Sequence, residues 1–244
     1  MTFDPFGDFE TRGYLRNTAR ATDPKIVRQM EHASFTTSLD ATFAELAARK
    51  RLSYEDVLAT HKMLFDVVYP WAGQDRTTTA SHLVVSKGNK NKVMFANPAD
   101  IRRAVEFALK LGQDEAFMAA KPGEVMGYLA FGHPFLDGNG RAIMVLHCVL
   151  AHRAGISIDW ASTNKNDYLA ALTKELDDPG KGHLDAYLKP FVQKGISQSG
   201  LAANVEGAPG LDGEGADVVL GNTDDPELKT EYQAQKLKRK EVLK

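Results

Sequence analysis

The run His133-Pro134-Phe135-Leu136-Asp137-Gly138-Asn139-Gly140-Arg141 constrains this chain more than any other feature. Helical periodicity stops near Gly132, and a strongly apolar helix is expected from about Arg141 to Gly155. The two are therefore joined by a tight loop holding two glycines. Glycines let backbone N–H groups approach an anion closely, and the N-terminus of the following helix adds its positive dipole end. The side chains extend this phosphate cradle. Arg141 is a permanent cation able to fork onto phosphate oxygens, and Asp137 is a hard oxygen ligand of the kind Mg²⁺ takes. Asn139 can donate to a phosphoryl oxygen without adding charge. His133 can take a proton from an attacking hydroxyl near neutral pH. Such a set suits phosphoryl or nucleotidyl transfer, where positioning and charge neutralisation carry most of the catalysis.

The rest of the first 195 residues reads as helices with short connections. Ile26, Val27 and Met30 share one face after Pro24, and Leu39, Phe43 and Leu46 share another in residues 37–49. Ser53, followed by Glu55 and Asp56, reads as an N-cap for a helix carrying Val57, Leu58, His61, Leu64 and Phe65. Residues 69–73 end that helix. Residues 76–95 change character. Thr77 to Thr79 and Leu83 to Val85 favour strand, residues 87–91 form a turn, and Val93 to Phe95 return, which predicts a β-hairpin. Asn97-Pro98 opens a helix with Ile101, Val105, Ala108 and Leu109 buried, and Pro122 opens the helix that ends at the loop.

The loop has the Fic motif pattern, H-P-F-x-[D/E]-G-N-G-R, and every fixed position is met. The chain resembles the Fic (Fido) family over roughly residues 30–192. Phe65, Tyr69 to Gly73 and Arg76 are similar to the segment before that family's β-hairpin flap, and residues 167–172 resemble the helix lining its adenine pocket. The resemblance implies an all-α domain with one β-hairpin flap beside the active site. It implies a protein adenylyltransferase that moves AMP from ATP-Mg²⁺ onto a Ser, Thr or Tyr hydroxyl of a target protein. His133 would then be the general base, Asp137 the Mg²⁺ ligand, and Gly138, Asn139, Gly140 and Arg141 the anion nest. Phe135 would hold the loop in the core. Lys87 and Gly88 of the flap would pair in β-fashion with the target, and Tyr168 would contact the base or simply fill the core.

Two departures from the family pattern matter. Many members carry a second arginine three residues after the first, and here that position is Met144. The inhibitory pattern [S/T]-x-x-x-E-[G/N] is also unmet. Residues 34–41 lack the glutamate, and Ala202 precedes Glu206-Gly207 where Ser or Thr belongs. Loss of both halves of that switch is mutually consistent and leaves inhibition to other means, a separate antitoxin-like chain among them. The alternatives are a Doc-like phosphotransferase, another nucleotide donor, or a non-catalytic partner-binding module. The unaltered residues 138–140 argue against the Doc-like loop.

Composition sets the outer limits. At 244 residues with a formal charge of −2 the chain can bury a full core, and it has no excess charge for nucleic acid. One cysteine, Cys148, excludes an internal disulfide. The apolar run at 142–151 is too short for a bilayer span, and residues 1–8 do not form a signal peptide. A cytoplasmic, toxin-like protein is expected, with export through a C-terminal signal left open. The divisions expected are a domain over 1–195, an acidic flexible linker over 196–228 and a short charged tail helix over 229–244. His61 and His147 are expected to be structural, and no His or Cys spacing suggests zinc.

Overall fold

Asp23 accepts a hydrogen bond from Lys25 N–H, Pro24 takes the first turn, and a single helix runs unbroken to Ala47. The computed structural model describes residues 4–87, 93–211 and 217–239. A short helix α1 (Phe9–Arg12) precedes the long helix α2 (Pro24–Ala47), which joins the two segments read separately in the sequence. The Ser53 cap forms a full capping box with Asp56 and starts α3 (Tyr54–Phe65).

Residues 76–79 do not form strand. Asp75 accepts from Thr77 N–H and starts a one-turn helix, α4 (Arg76–Thr79), so a local cap overrides the strand preference of three threonines. The hairpin follows as β1 (Leu83–Lys87) and β2 (Val93–Met94), paired antiparallel with Ser86 opposite Met94. Then come α5 (Ile101–Gly112), α6 (Glu115–Ala120), α7 (Pro122–Gly132) and α8 (Asn139–Arg153). All ten residues from Ala142 to Ala151 on α8 are buried, so this helix is the central post of the bundle. Helices α2, α3 and α7 pack around it.

The last part of the domain is β3 (Ile156–Ile158), α9 (Lys165–Asp177), α10 (His183–Leu188) and β4 (Val192–Lys194), with β3 and β4 antiparallel. Beyond residue 195 the chain departs from the expected flexible linker. Helix α11 (Leu201–Glu206) buries Leu201 and Val205 in the main core. Strand β5 (Asp217–Asn222) adds to β1, and α12 (Pro226–Leu237) buries Leu228 and Tyr232. The physical reason is that short apolar pairs and triplets, Leu201/Val205 and Val218 to Leu220, lie within a Gly- and Asp-rich stretch. The flap is thus a three-stranded sheet of order β2-β1-β5 and not a bare hairpin. Among the described residues, no helix is long and apolar enough to cross a membrane.

Candidate active site

α7 ends at Gly132, and His133 leaves it in the left-handed region (φ 39°, ψ 59°), which turns the chain sharply into the loop. Arg76, itself 1% exposed, fixes this turn. Its Nε donates to the His133 carbonyl at 2.9 Å, its Nη2 to the Ala96 carbonyl at 2.6 Å, and its backbone N–H to the Pro134 carbonyl at 2.7 Å. One buried guanidinium therefore ties the loop to the chain leaving the flap. The His133 imidazole stacks flat on Phe95, with ring centroids 3.8 Å apart and planes 8° apart.

Asn139 holds the loop from inside. Its Oδ1 accepts from Phe135 N–H at 2.9 Å, and its Nδ2 donates to the Phe135 carbonyl at 2.8 Å. The backbone donor fixes which amide atom is oxygen, so Nδ2 is also the donor that meets His133 Nε2 at 3.1 Å. His133 Nε2 is thereby the lone-pair nitrogen and Nδ1 carries the proton. The Asn139 side chain is turned into the loop and away from the role of phosphate donor expected from sequence. What it can offer an anion is its backbone N–H, which with those of Gly140 and Arg141 opens α8 without intrahelical acceptors.

His61 braces the loop from α3. It is fully buried and accepts from Gly73 N–H at Nδ1 (3.0 Å), so Nε2 carries the proton and donates to the Asp137 carbonyl (3.0 Å). Its ring stacks on Phe135 at 3.8 Å, and burial pushes its pKa down to about 3. This is the structural histidine the sequence suggested. Phe135 is fully buried beneath it.

The two loop glycines differ in purpose. Gly138 has φ 74°, and a Cβ there would lie 2.6 Å from the Phe65 ring and 3.1 Å from His61 Nε2. Gly140 faces open space, where an anion can approach the backbone. Replacing Gly138 by alanine is expected to cost about 1–3 kcal/mol through strain and this close approach, read as a lower urea midpoint. The same change at Gly140 should leave the midpoint nearly unmoved.

Arg141 is 4% exposed and lies over the Phe65 ring at 4.7 Å. Its Nη2 is 3.1 Å from Glu31 Oε1 and 3.7 Å from Asp137 Oδ1. Its Nη1 is buried with no hydrogen-bond partner among the described residues, an unmet donor on a cation beside the loop. Glu31 on α2 is 1% exposed and also accepts from the Tyr69 hydroxyl at 2.8 Å. Burial first, then the charge of Asp137, push the Glu31 carboxyl up to about 7 against the pull of Arg141. The sequence reading missed Glu31. The signal was there, since Glu31 lies four residues from Val27 and from Phe35, in the middle of a buried stripe.

Asp137 keeps about a third of its side chain exposed, and its Oδ1 accepts from Gly138 N–H at 2.6 Å. Among the described residues, no group of three or more His, Cys, Asp or Glu is placed to hold a metal. Lys87 ends β1, and its Nζ donates to the Leu169 carbonyl of α9 at 3.2 Å, closing the flap against that helix. The neighbouring Tyr168 is edge-on to Trp160 (5.8 Å) and near Tyr187 (6.3 Å), as a packing tyrosine would be. Gly88 lies outside the described residues. Met144 is 5% exposed on α8, packed in the main core.

Residues 51–151 match the Fic/DOC family. The matched segment takes in the whole loop of residues 133–141 and is similar to a Fic domain. Among curated proteins, it is 26% identical over 169 residues to protein adenylyltransferase VbhT of Bartonella schoenbuchensis, covering 69% of this chain and 35% of that relative. The chain thus spans about a third of that protein's length. It is 27% identical over 170 residues to the probable protein adenylyltransferase y4lH of Sinorhizobium fredii, covering 66% of this chain and 82% of that one. Among solved structures, the N-terminal Fic domain of a VirB-translocated Bep effector from Bartonella quintana, with bound ADP, superposes with a TM-score of 0.62. That match has 21% identity and covers 75% of this chain and 92% of the other. BepC from Bartonella tribocorum, with bound AMPPNP, gives a TM-score of 0.59 at 17% identity, covering 74% and 92%. The Fic fold of these structures is the mostly helical fold described above.

Proposed function

We propose that this Fic domain transfers AMP from ATP-Mg²⁺ to a hydroxyl side chain of a protein target, releasing pyrophosphate. The observation that carries the reading is Arg141, a buried cation with an unmet Nη1 donor at the start of α8, next to the open face of Gly140. A polyphosphate supplies the acceptors that such a site lacks. The names of the two curated relatives, and the nucleotides bound in the two effector domains, agree with this reading.

In the reaction, the target's hydroxyl oxygen attacks the α-phosphorus, the bond to the β-phosphate oxygen breaks, and the hydroxyl proton passes to His133 Nε2. That nitrogen has one lone pair, now directed at Asn139 Nδ2, so the hydroxyl takes the place of the amide as it arrives. Phe95 keeps the ring in plane during the exchange. Asp137 fits a Mg²⁺ site shared with phosphate, because Mg²⁺ keeps several waters and takes only one or two carboxylates. Bound there, Mg²⁺ would neutralise charge that develops on the phosphates. The target is positioned by adding its extended backbone to the flap edge at β1, where Lys87 lies.

Transfer is tested by incubating the protein with candidate target extract, Mg²⁺ and ATP labelled at the α- or the γ-phosphate. Label entering protein from α-labelled ATP alone is the expected result. Label from γ-labelled ATP alone would replace AMP transfer by phosphate transfer. That outcome would trace to Met144, which offers no cation where many Fic proteins place a second arginine.

A further inference from the structure

The flap edge assigned to the target is already taken by this chain. β5 runs antiparallel to β1, with Leu83 opposite Asn222, Val84 opposite Gly221, Val85 opposite Val219, Ser86 opposite Val218 and Lys87 opposite Asp217. The ladder slips between Val84 and Val85, so the pairing is imperfect. The side chains of Val218, Val219 and Leu220 are only half-buried. Of these, only Leu220 reaches the small cluster of Val84, Met94, Leu228 and Tyr232.

The helix behind the strand is held much more firmly. The Tyr232 hydroxyl donates to Asp100 Oδ2 and accepts from Asn97 N–H, each at 3.0 Å. Lys236 Nζ reaches both Asp100 carboxylate oxygens at 3.1 Å. Arg239 is 2% exposed, lies over the Phe131 ring at 4.0 Å and donates to the Leu176 carbonyl. A half-buried strand is thus tethered by a helix that is exposed along most of its length but anchored at Leu228, Tyr232 and Lys236, with the turn at Thr223 to Asp225 between them.

We propose that β5 is a displaceable occupant of the flap edge, which yields its place on β1 to the extended segment of the protein target while α12 stays docked. The identity of the incoming strand rests on the transfer reading above. The partner that fits is an extended backbone with β-branched or aliphatic residues opposite Val85 and Ser86, since Val219 and Val218 fill those positions now. Because β5 is tethered, its effective concentration at the edge is on the order of millimolar. A target must therefore pair better than β5 or be held nearby by contacts outside the flap.

The test is a full-length Val85→Cys/Val219→Cys variant, in which a cross-strand disulfide locks β5 onto β1. The native Cys148 is buried on α8 and does not compete for the new thiols. Oxidised and reduced forms of the same protein are compared for label transfer from α-labelled ATP and for binding of a fluorescent ATP analogue. The expected result is at least about a tenfold loss of transfer on oxidation, restored by dithiothreitol, with nucleotide binding unchanged. Equal transfer by both forms overturns the proposal. So does a parallel loss of nucleotide binding, because β5 would then act on the cradle. If neither form nor the unsubstituted chain transfers label, the transfer reading has failed, and hydrogen exchange of the unsubstituted chain decides the strand. Amides of β5 exchanging at least about 100-fold faster than those of α8 sustain displacement, and equal protection overturns it.

Discussion

Alanine at position 133 is expected to lower label transfer by about 10²–10⁴-fold while leaving the fold and nucleotide binding intact. The fold should persist because the loop is held by Asn139, Arg76 and His61 through backbone atoms that the substitution does not touch. Nucleotide binding should persist because the proposed cradle is built from residues 138–141. Transfer kinetics, a thermal melt and nucleotide titration on the same preparation separate these effects. Transfer at the wild-type rate would remove His133 from the role of base. A loss of nucleotide affinity as large as the loss of rate would make the imidazole part of the cradle.

The second large effect is expected at Glu31. Its replacement by alanine strands a guanidinium that is 4% exposed and a Tyr69 hydroxyl that is buried with it. Removing one partner of a buried pair costs about 3–5 kcal/mol, visible at pH 8 as a lower urea midpoint. Glutamine at the same position keeps the shape and an acceptor for Tyr69, and it isolates the titration. In the folded chain the Glu31 carboxyl is raised from the ordinary value of 4.5 to about 7. A carboxyl raised on folding holds its proton more tightly in the native state. Its contribution to stability is therefore complete below pH 4.5 and is lost as pH rises through 7. Relative to Glu31→Gln, the wild type should lose roughly 3 kcal/mol across that window. A stability difference that stays flat between pH 4.5 and 8 would show that Glu31 remains ionised beside Arg141.

Much of the site was legible in sequence because its parts are contiguous. The nine residues 133–141 carry the proposed base, nest and cation, and helical periodicity on both sides placed them at the junction of α7 and α8. The hairpin was legible from Leu83 to Val85 and Val93 to Phe95. Glu31 and Arg76 were harder, because their meaning lies in what they touch. Glu31 is a carboxylate in an apolar stripe, and Arg76 is a cation that serves backbone carbonyls. Asn139 shows a different limit. Its motif position suggested a phosphate donor, yet the amide turns inward because Phe135 presents both a donor and an acceptor to it. The region after residue 195 was read as linker because composition averages over windows longer than the Leu201/Val205 pair or the Val218 to Leu220 strand.

The flap sheet joins strands from distant parts of the chain, with α5 to α11 lying between β1 and β5 in sequence. Closing so long a loop is entropically slow unless the intervening helices have already condensed. Folding order should therefore separate the two halves of the site. Residues 133–141 run from the end of α7 into the first turn of α8 and mature with the bundle, whereas the third strand of the flap arrives last. During refolding, a species with a formed loop at residues 133–141 and an unfinished flap is expected to bind nucleotide before β5 has paired with β1.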